Sequence, residues 1–109
     1  MANTYKVLGQ SNPSATTATT LYTCGSASGA VVSTISVCNQ AASAGTFRIA
    51  VRPAGATLAA QHYIAYDTAI TANNSTMLTL GITLANTDVI TVYASASTMS
   101  FAAFGSEIS

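Results

Sequence analysis

Gly45-Thr46-Phe47-Arg48-Ile49-Ala50-Val51-Arg52-Pro53 alternates more strictly than any other stretch of this chain. Successive side chains on a strand leave opposite faces of the sheet. Phe47, Ile49 and Val51 therefore share one face, which predicts core. Arg48, Ala50 and Arg52 share the other, which holds two of the three basic residues in the chain and so meets either water or a partner. Pro53 ends the strand, because it has no N–H to give to a ladder.

The pattern extends in both directions. Upstream, Val31 to Asn39 is rich in β-branched residues and predicts a strand, with Val31, Ile35 and Val37 on one face and Val32, Thr34, Ser36 and Cys38 on the other. Gly25 to Gly29 is a loop. Residues 1–20 are rich in Thr and Ser, with Tyr5, Val7 and Leu8 as apolar anchors and a turn at Asn12-Pro13. They predict an edge strand or arm leading into a sandwich of residues 21–109. Downstream, Leu58 to Gln61 predicts at most one helical turn, and His62 to Tyr66 a strand stopped by Asp67. Thr76 to Ile82 places Leu78, Leu80 and Ile82 on one face. Asp88 to Ala94 is a further strand, and Thr98 to Phe104, closed by Gly105, is the last. About 7–8 short strands without an amphipathic helix indicate an all-β fold: a single β-sandwich or jelly-roll-like domain of antiparallel strands with an extended N-terminal arm.

Charged residues are 6% of the 109 and the formal net charge is zero, against about 25% charged in an ordinary soluble domain. So little like-charge repulsion would keep isolated copies apart poorly, which predicts surface buried in a homo-oligomer or larger assembly. Lys6, Arg48 and Arg52 are too few for the phosphate contacts of nucleic-acid binding. No run of about 18 apolar residues predicts a membrane span, and no charged start followed by a hydrophobic block predicts a secretory signal. The expectation is a protein assembled in cytoplasm. Cys24 and Cys38 have no histidine ligands nearby, so no metal site is expected; free thiols are favoured over a disulfide in a reducing compartment.

No catalytic or cofactor-binding residues emerge. His62 is the only histidine and has neither a nucleophile motif nor paired carboxylates around it, which favours a strand histidine at a surface or subunit contact over a general base. Asp67 and Asp88 sit in turn-like contexts that suit backbone capping better than calcium binding. The overlapping sequons at Asn73 and Asn74 read as a turn. Arg48 and Arg52 lie about 13 Å apart along one strand face; they either contact a neighbour's Asp67, Asp88 or Glu107 or are simply solvated. His62, Tyr63 and Tyr66 are the candidates for a ligand or partner contact. Tyr63, Tyr66 and Tyr93 either form a sugar-binding platform or cap the core, the commoner role.

The segments Lys6 to Gln10, Leu21 to Thr23, Val31 to Asn39, Thr46 to Val51, His62 to Asp67, Leu78 to Ile82, Asp88 to Ala94 and Phe101 to Ser106 together resemble a family of small structural proteins of tailed bacteriophages, including phages of cyanobacteria. The two cysteines depart from the usual pattern. The resemblance implies a virion component without catalytic residues or cofactors. A capsid decoration (cement) protein is the leading form, and a small tail, collar, baseplate or fibre-attachment protein the alternative. Its partners would be the major capsid protein or tail proteins and further copies of itself, a trimer being the natural multiplicity at capsid three-fold positions. A receptor- or carbohydrate-binding module is the rival from a different class.

Overall fold

A computed structural model describes residues 3–108; residues 1, 2 and 109 of the expected 1–109 domain lie outside the described residues. Eight strands follow in order: β1 (Asn3–Ser11), β2 (Thr19–Thr23), β3 (Ala30–Asn39), β4 (Gly45–Arg52), β5 (Tyr63–Ile70), β6 (Ser75–Leu84), β7 (Val89–Ala94) and β8 (Met99–Ile108). Short 3-10 turns at Pro53–Gly55 and Ala60–His62 separate β4 from β5. One four-stranded sheet has the order β1-β8-β3-β6 and the other β2-β7-β4-β5, and every recorded pairing is antiparallel. That is the strand order of a jelly roll, in which every connection except the one from β4 to β5 passes between the two sheets.

The core forms where the inner faces meet. Phe47, Ile49, Ile90 and Val92 from one sheet pack with Ile35, Val37, Met99 and Phe101 from the other, all essentially inaccessible to water. Phe47 and Phe101 meet edge to face across the sheets, with ring centroids 6.2 Å apart, a favourable aromatic geometry. Val51, the third expected core residue of β4, is half-buried at the margin of this cluster. Asn39 is buried too, and is fully satisfied: its Nδ2 donates to Ser43 O and Thr71 O, and its Oδ1 accepts from Ala41 N. One side chain thus ties two loops together at one end of the sandwich.

The N-terminal segment is extended and lies along the body. β1 pairs with β8 as an edge strand, and residues 12–18 cross to the other sheet. Asn12 Nδ2 donates to Met99 O, Pro13 is buried, and Thr16 N donates to Ala94 O.

Four expectations fail, each at a bulge. Val31 does not share a face with Ile35: the register slips between Val32 and Thr34 against both neighbours of β3, so Val32 is buried and Val31 only partly. An extra residue reverses a strand's inside and outside. Leu80 is exposed, because Leu80 and Gly81, the latter at φ +64°, bulge out of β6. Gly105 does not close β8. The strand runs to Ile108, with Gly105 set against the β3 bulge where a Cβ would lie 2.0 Å from Val31 O. Likewise Asp67 does not stop β5, which continues to Ile70 through a bulge at Asp67, φ +47°.

Candidate functional site

Two surfaces stand out, one on each sheet. The first is on the outer face of β2-β7-β4-β5 and is built by the bulges of β5. Along an unbroken strand, Tyr63 and Tyr66 would point to opposite faces. Here Ala50 pairs with Tyr63 and Ile49 with Ala65, leaving Ile64 as an extra residue; then Tyr66 and Asp67 together oppose Arg48. Tyr63 and Tyr66 end on the same side, their rings 4.9 Å apart and nearly perpendicular. Arg48, whose β4 position pairs with Tyr93 of β7, lays its guanidinium 4.1 Å from the ring centre of Tyr66 and 4.3 Å from that of Tyr93. Such stacking suits the planar, weakly hydrated guanidinium.

The guanidinium is also bidentate to Asp67, with Nε to Oδ1 at 2.6 Å and the second nitrogen to Oδ2 at 3.3 Å. That hydrogen bond holds the Arg48 pKa above its already high ordinary value, so the group stays cationic and the pair is neutral overall. Beside Tyr63 and Tyr66 the loop residues Leu58, Ala59 and Ala60 complete an open groove of about 650 Å³. His62 supports its wall: the buried imidazole accepts a hydrogen bond from Ala59 N at its Nδ1, 3.1 Å away.

The second surface is the outer face of β1-β8-β3-β6. The register aligns rows across it: Tyr5, Ser106, Val31 and Thr83; Val7, Phe104, Thr34 and Thr79; Gln10, Ala102, Ser36 and Met77. None of these is charged. Tyr5 is 79% and Met77 63% exposed, and Val7 and Phe104 are exposed beside them. The only ionisable acid and base on these strands, Lys6 and Glu107, alternate to the other side. There Lys6 Nζ lies 2.7 Å from Glu107 Oε1, and Tyr22 of the opposite sheet donates its hydroxyl to Glu107 Oε2. Lys6 first, then the Tyr22 hydroxyl, hold the Glu107 carboxyl below the usual carboxylate range. Burial, reinforced by Glu107, pushes the Tyr22 hydroxyl up.

Comparison with protein families, with curated proteins and with solved structures finds no match to this chain.

The other residues singled out in the sequence have local partners. Arg52, read beside Arg48 as an assembly contact, donates to Thr91 Oγ1 and to the carbonyls of Gly55 and Ala56. It clamps the turn after Pro53. Arg48 meets the Asp67 of its own chain. His62 is a buried loop support and not a surface histidine. Asp88 caps as expected, accepting from Ala54 N and Ala85 N. The three tyrosines do gather into one cluster, on the outer face and away from the core. Cys24 and Cys38 are free thiols. Among the described residues, no three His, Cys, Asp or Glu side chains converge to hold a metal ion, and no helix is long and apolar enough to cross a membrane. The charge-free face was missed in the sequence, because it exists only once strands 1, 8, 3 and 6 are known to be neighbours.

Proposed function

We propose that this chain is a non-enzymatic structural protein of a tailed-phage virion, a capsid decoration protein that stabilises the head. The observation that carries this reading is the charge-free outer face of β1-β8-β3-β6, with Tyr5, Val7, Phe104 and Met77 exposed on it. A face without charges that exposes several apolar side chains favours burial against another protein, since no ion has to be desolvated and each apolar side chain contributes through the area it removes from water.

The edge of the same sheet supports the reading. β6 is ten residues long and, apart from its bulge at Leu80 and Gly81, contains neither charge nor proline, two of the devices that keep an exposed edge from pairing with other chains. A virion neighbour would cover both the edge and the face. The ionic side chains fit a passive role as well: Arg48 with Asp67, Lys6 with Glu107, and Arg52 and Asp88 with backbone or hydroxyl groups are engaged within the chain. The jelly roll occurs in viral capsid proteins, but also in lectins and other classes, so the fold by itself does not select among them.

A tail, collar, baseplate or fibre-attachment role would use the same face. Particles lacking the protein separate the two. Loss of head resistance to heat and osmotic shock, with tails assembled normally, is the expected result. Heads as resistant as wild type would overturn the decoration reading.

A further inference from the structure

We propose that the groove beside Tyr66 is a saccharide-binding site that takes a neutral pyranose ring of a glycan chain. The site is on the sheet opposite the charge-free face, so the inference stands independently of the virion reading.

The exposed ring and the polar groups beside it select this ligand chemistry. Tyr66 is 58% exposed although Arg48 and Tyr63 already pack against it, so a broad aromatic surface remains open towards Leu58 and Ala60. A pyranose presents a face of C–H groups that stacks on such a ring, and a rim of hydroxyls that requires fixed polar partners. Asp67 follows Tyr66 directly and, outside the lining of the groove itself, offers such partners next to it. Each of its oxygens accepts one bond from Arg48, and a carboxylate has about four acceptor positions, so sites remain for sugar hydroxyls. Arg48 commits two of its five N–H groups to Asp67, leaving others as donors.

The charge state narrows the class further. Arg48 and Asp67 cancel, so a phosphate or carboxylate finds no free cation in the cluster and an ammonium no free anion; an uncharged polyol loses nothing by this. The groove's volume of about 650 Å³ falls within the range of about 300–1,000 Å³ typical of small-ligand sites. The polar groups are also fixed in advance. Asp67 is held by the β5 bulge and by two hydrogen bonds, and the groove wall is held through Ala59 by His62. Binding therefore costs little ordering of the protein.

The test uses the full chain on a glycan array that includes neutral, acidic and amino sugars, followed by NMR titration with the methyl glycoside of any sugar retained. Binding to neutral pyranose glycans is expected, with shifts centred on Tyr63, Tyr66 and Asp67. Tyr66→Ala should weaken it about three- to tenfold, the share of one aromatic contact. Tyr66→Phe, which keeps the ring, should restore it, and Tyr5→Ala on the opposite sheet should leave it unchanged. No binding to any neutral glycan, binding confined to charged glycans, or equal affinity in a folded Tyr66→Ala protein would overturn the proposal. None of these results bears on capsid attachment.

Discussion

Gly105→Ala places one methyl group where two backbones come closest. The added Cβ would sit 2.0 Å from Val31 O, and 3.0 Å from both Val31 C and Val32 Cα. To reach even 3.0 Å, the carbonyl has to retreat by 1.0 Å. That carbonyl belongs to β3, which is paired on both sides: Val31 is in register with Ser106 of β8 and Thr83 of β6. Val32 beside it has no exposed surface. A retreat therefore disturbs the ladders and the core together. Overpacking of this kind costs about 1–3 kcal/mol, and a weakened ladder bond about 0.5–1.5 kcal/mol. The sum, about 1.5–4.5 kcal/mol, is a large share of the roughly 5–15 kcal/mol by which a domain is stable. The expected fall in Tm is roughly 7–20 °C. Gly25→Ala is the control, because nothing lies within 4 Å of a Cβ there; it should change stability by no more than about 0.5–1 kcal/mol. Urea unfolding of both variants, compared at constant m-value, measures the difference. Equal midpoints for the two would refute the close approach of β8 to the β3 bulge.

Arg52→Ala should cost about 1–3 kcal/mol, since it removes the charge-assisted bonds that hold Gly55 and Ala56; the loss should appear in thermal melts and as faster proteolysis near residues 53–56. Glu107 has a folded pKa below its unfolded value of about 4.3, so its contribution is present above that pH and is lost as pH falls through the folded value. Glu107→Gln should flatten the acid limb of a Tm-against-pH curve. Tyr22 has the opposite sign: the unfolded phenol ionises near pH 10 while burial keeps the folded one neutral, so stability should fall above about pH 10 in wild type and less so in Tyr22→Phe. Phe104→Lys with Met77→Lys puts charges on two exposed positions of the apolar face. It should leave Tm within a few degrees of wild type and abolish attachment in a capsid-binding assay, whereas unchanged attachment would remove that face from the assembly proposal.

The fold was legible wherever alternation was unbroken. Phe47 and Ile49 of β4, Ile90 and Val92 of β7, and Met99, Phe101 and Ala103 of β8 are buried as their two-residue spacing predicts. Legibility ends at the bulges. Val31 and Val32 are chemically identical neighbours, and nothing in their composition says which faces inward; that is decided by Gly105 on another strand, whose missing Cβ admits the β3 bulge. Gly105 reads as a stop because turns favour glycine, although it lies inside β8; Gly81 reads as an ordinary strand position, although its φ of +64° puts it in a bulge of β6. Periodicity carries no information about such non-local contacts.

The candidate sites divide along the same physical line. The tyrosine cluster was legible as a set of residue types but not as a place, because spacing alone sends Tyr63 and Tyr66 to opposite faces and only the two irregularities of β5 bring them together. Arg48 and Arg52 share a face as alternation requires, yet their partners come from the bulge at Asp67 and the turn after Pro53, and neither has to look to a neighbour for them. The charge-free face is the clearest case. Composition shows that charges are scarce, which predicts some uncharged surface without locating it. The jelly-roll order then gathers β1, β8, β3 and β6 into one sheet, and alternation turns its only acid and base, Lys6 and Glu107, to the side where Tyr22 reaches them. Scarcity of charge thus becomes segregation of charge. One face of the sandwich is left with nothing but hydroxyl, amide, thiol and apolar side chains, and the other holds a neutral ionic pair set among aromatic rings.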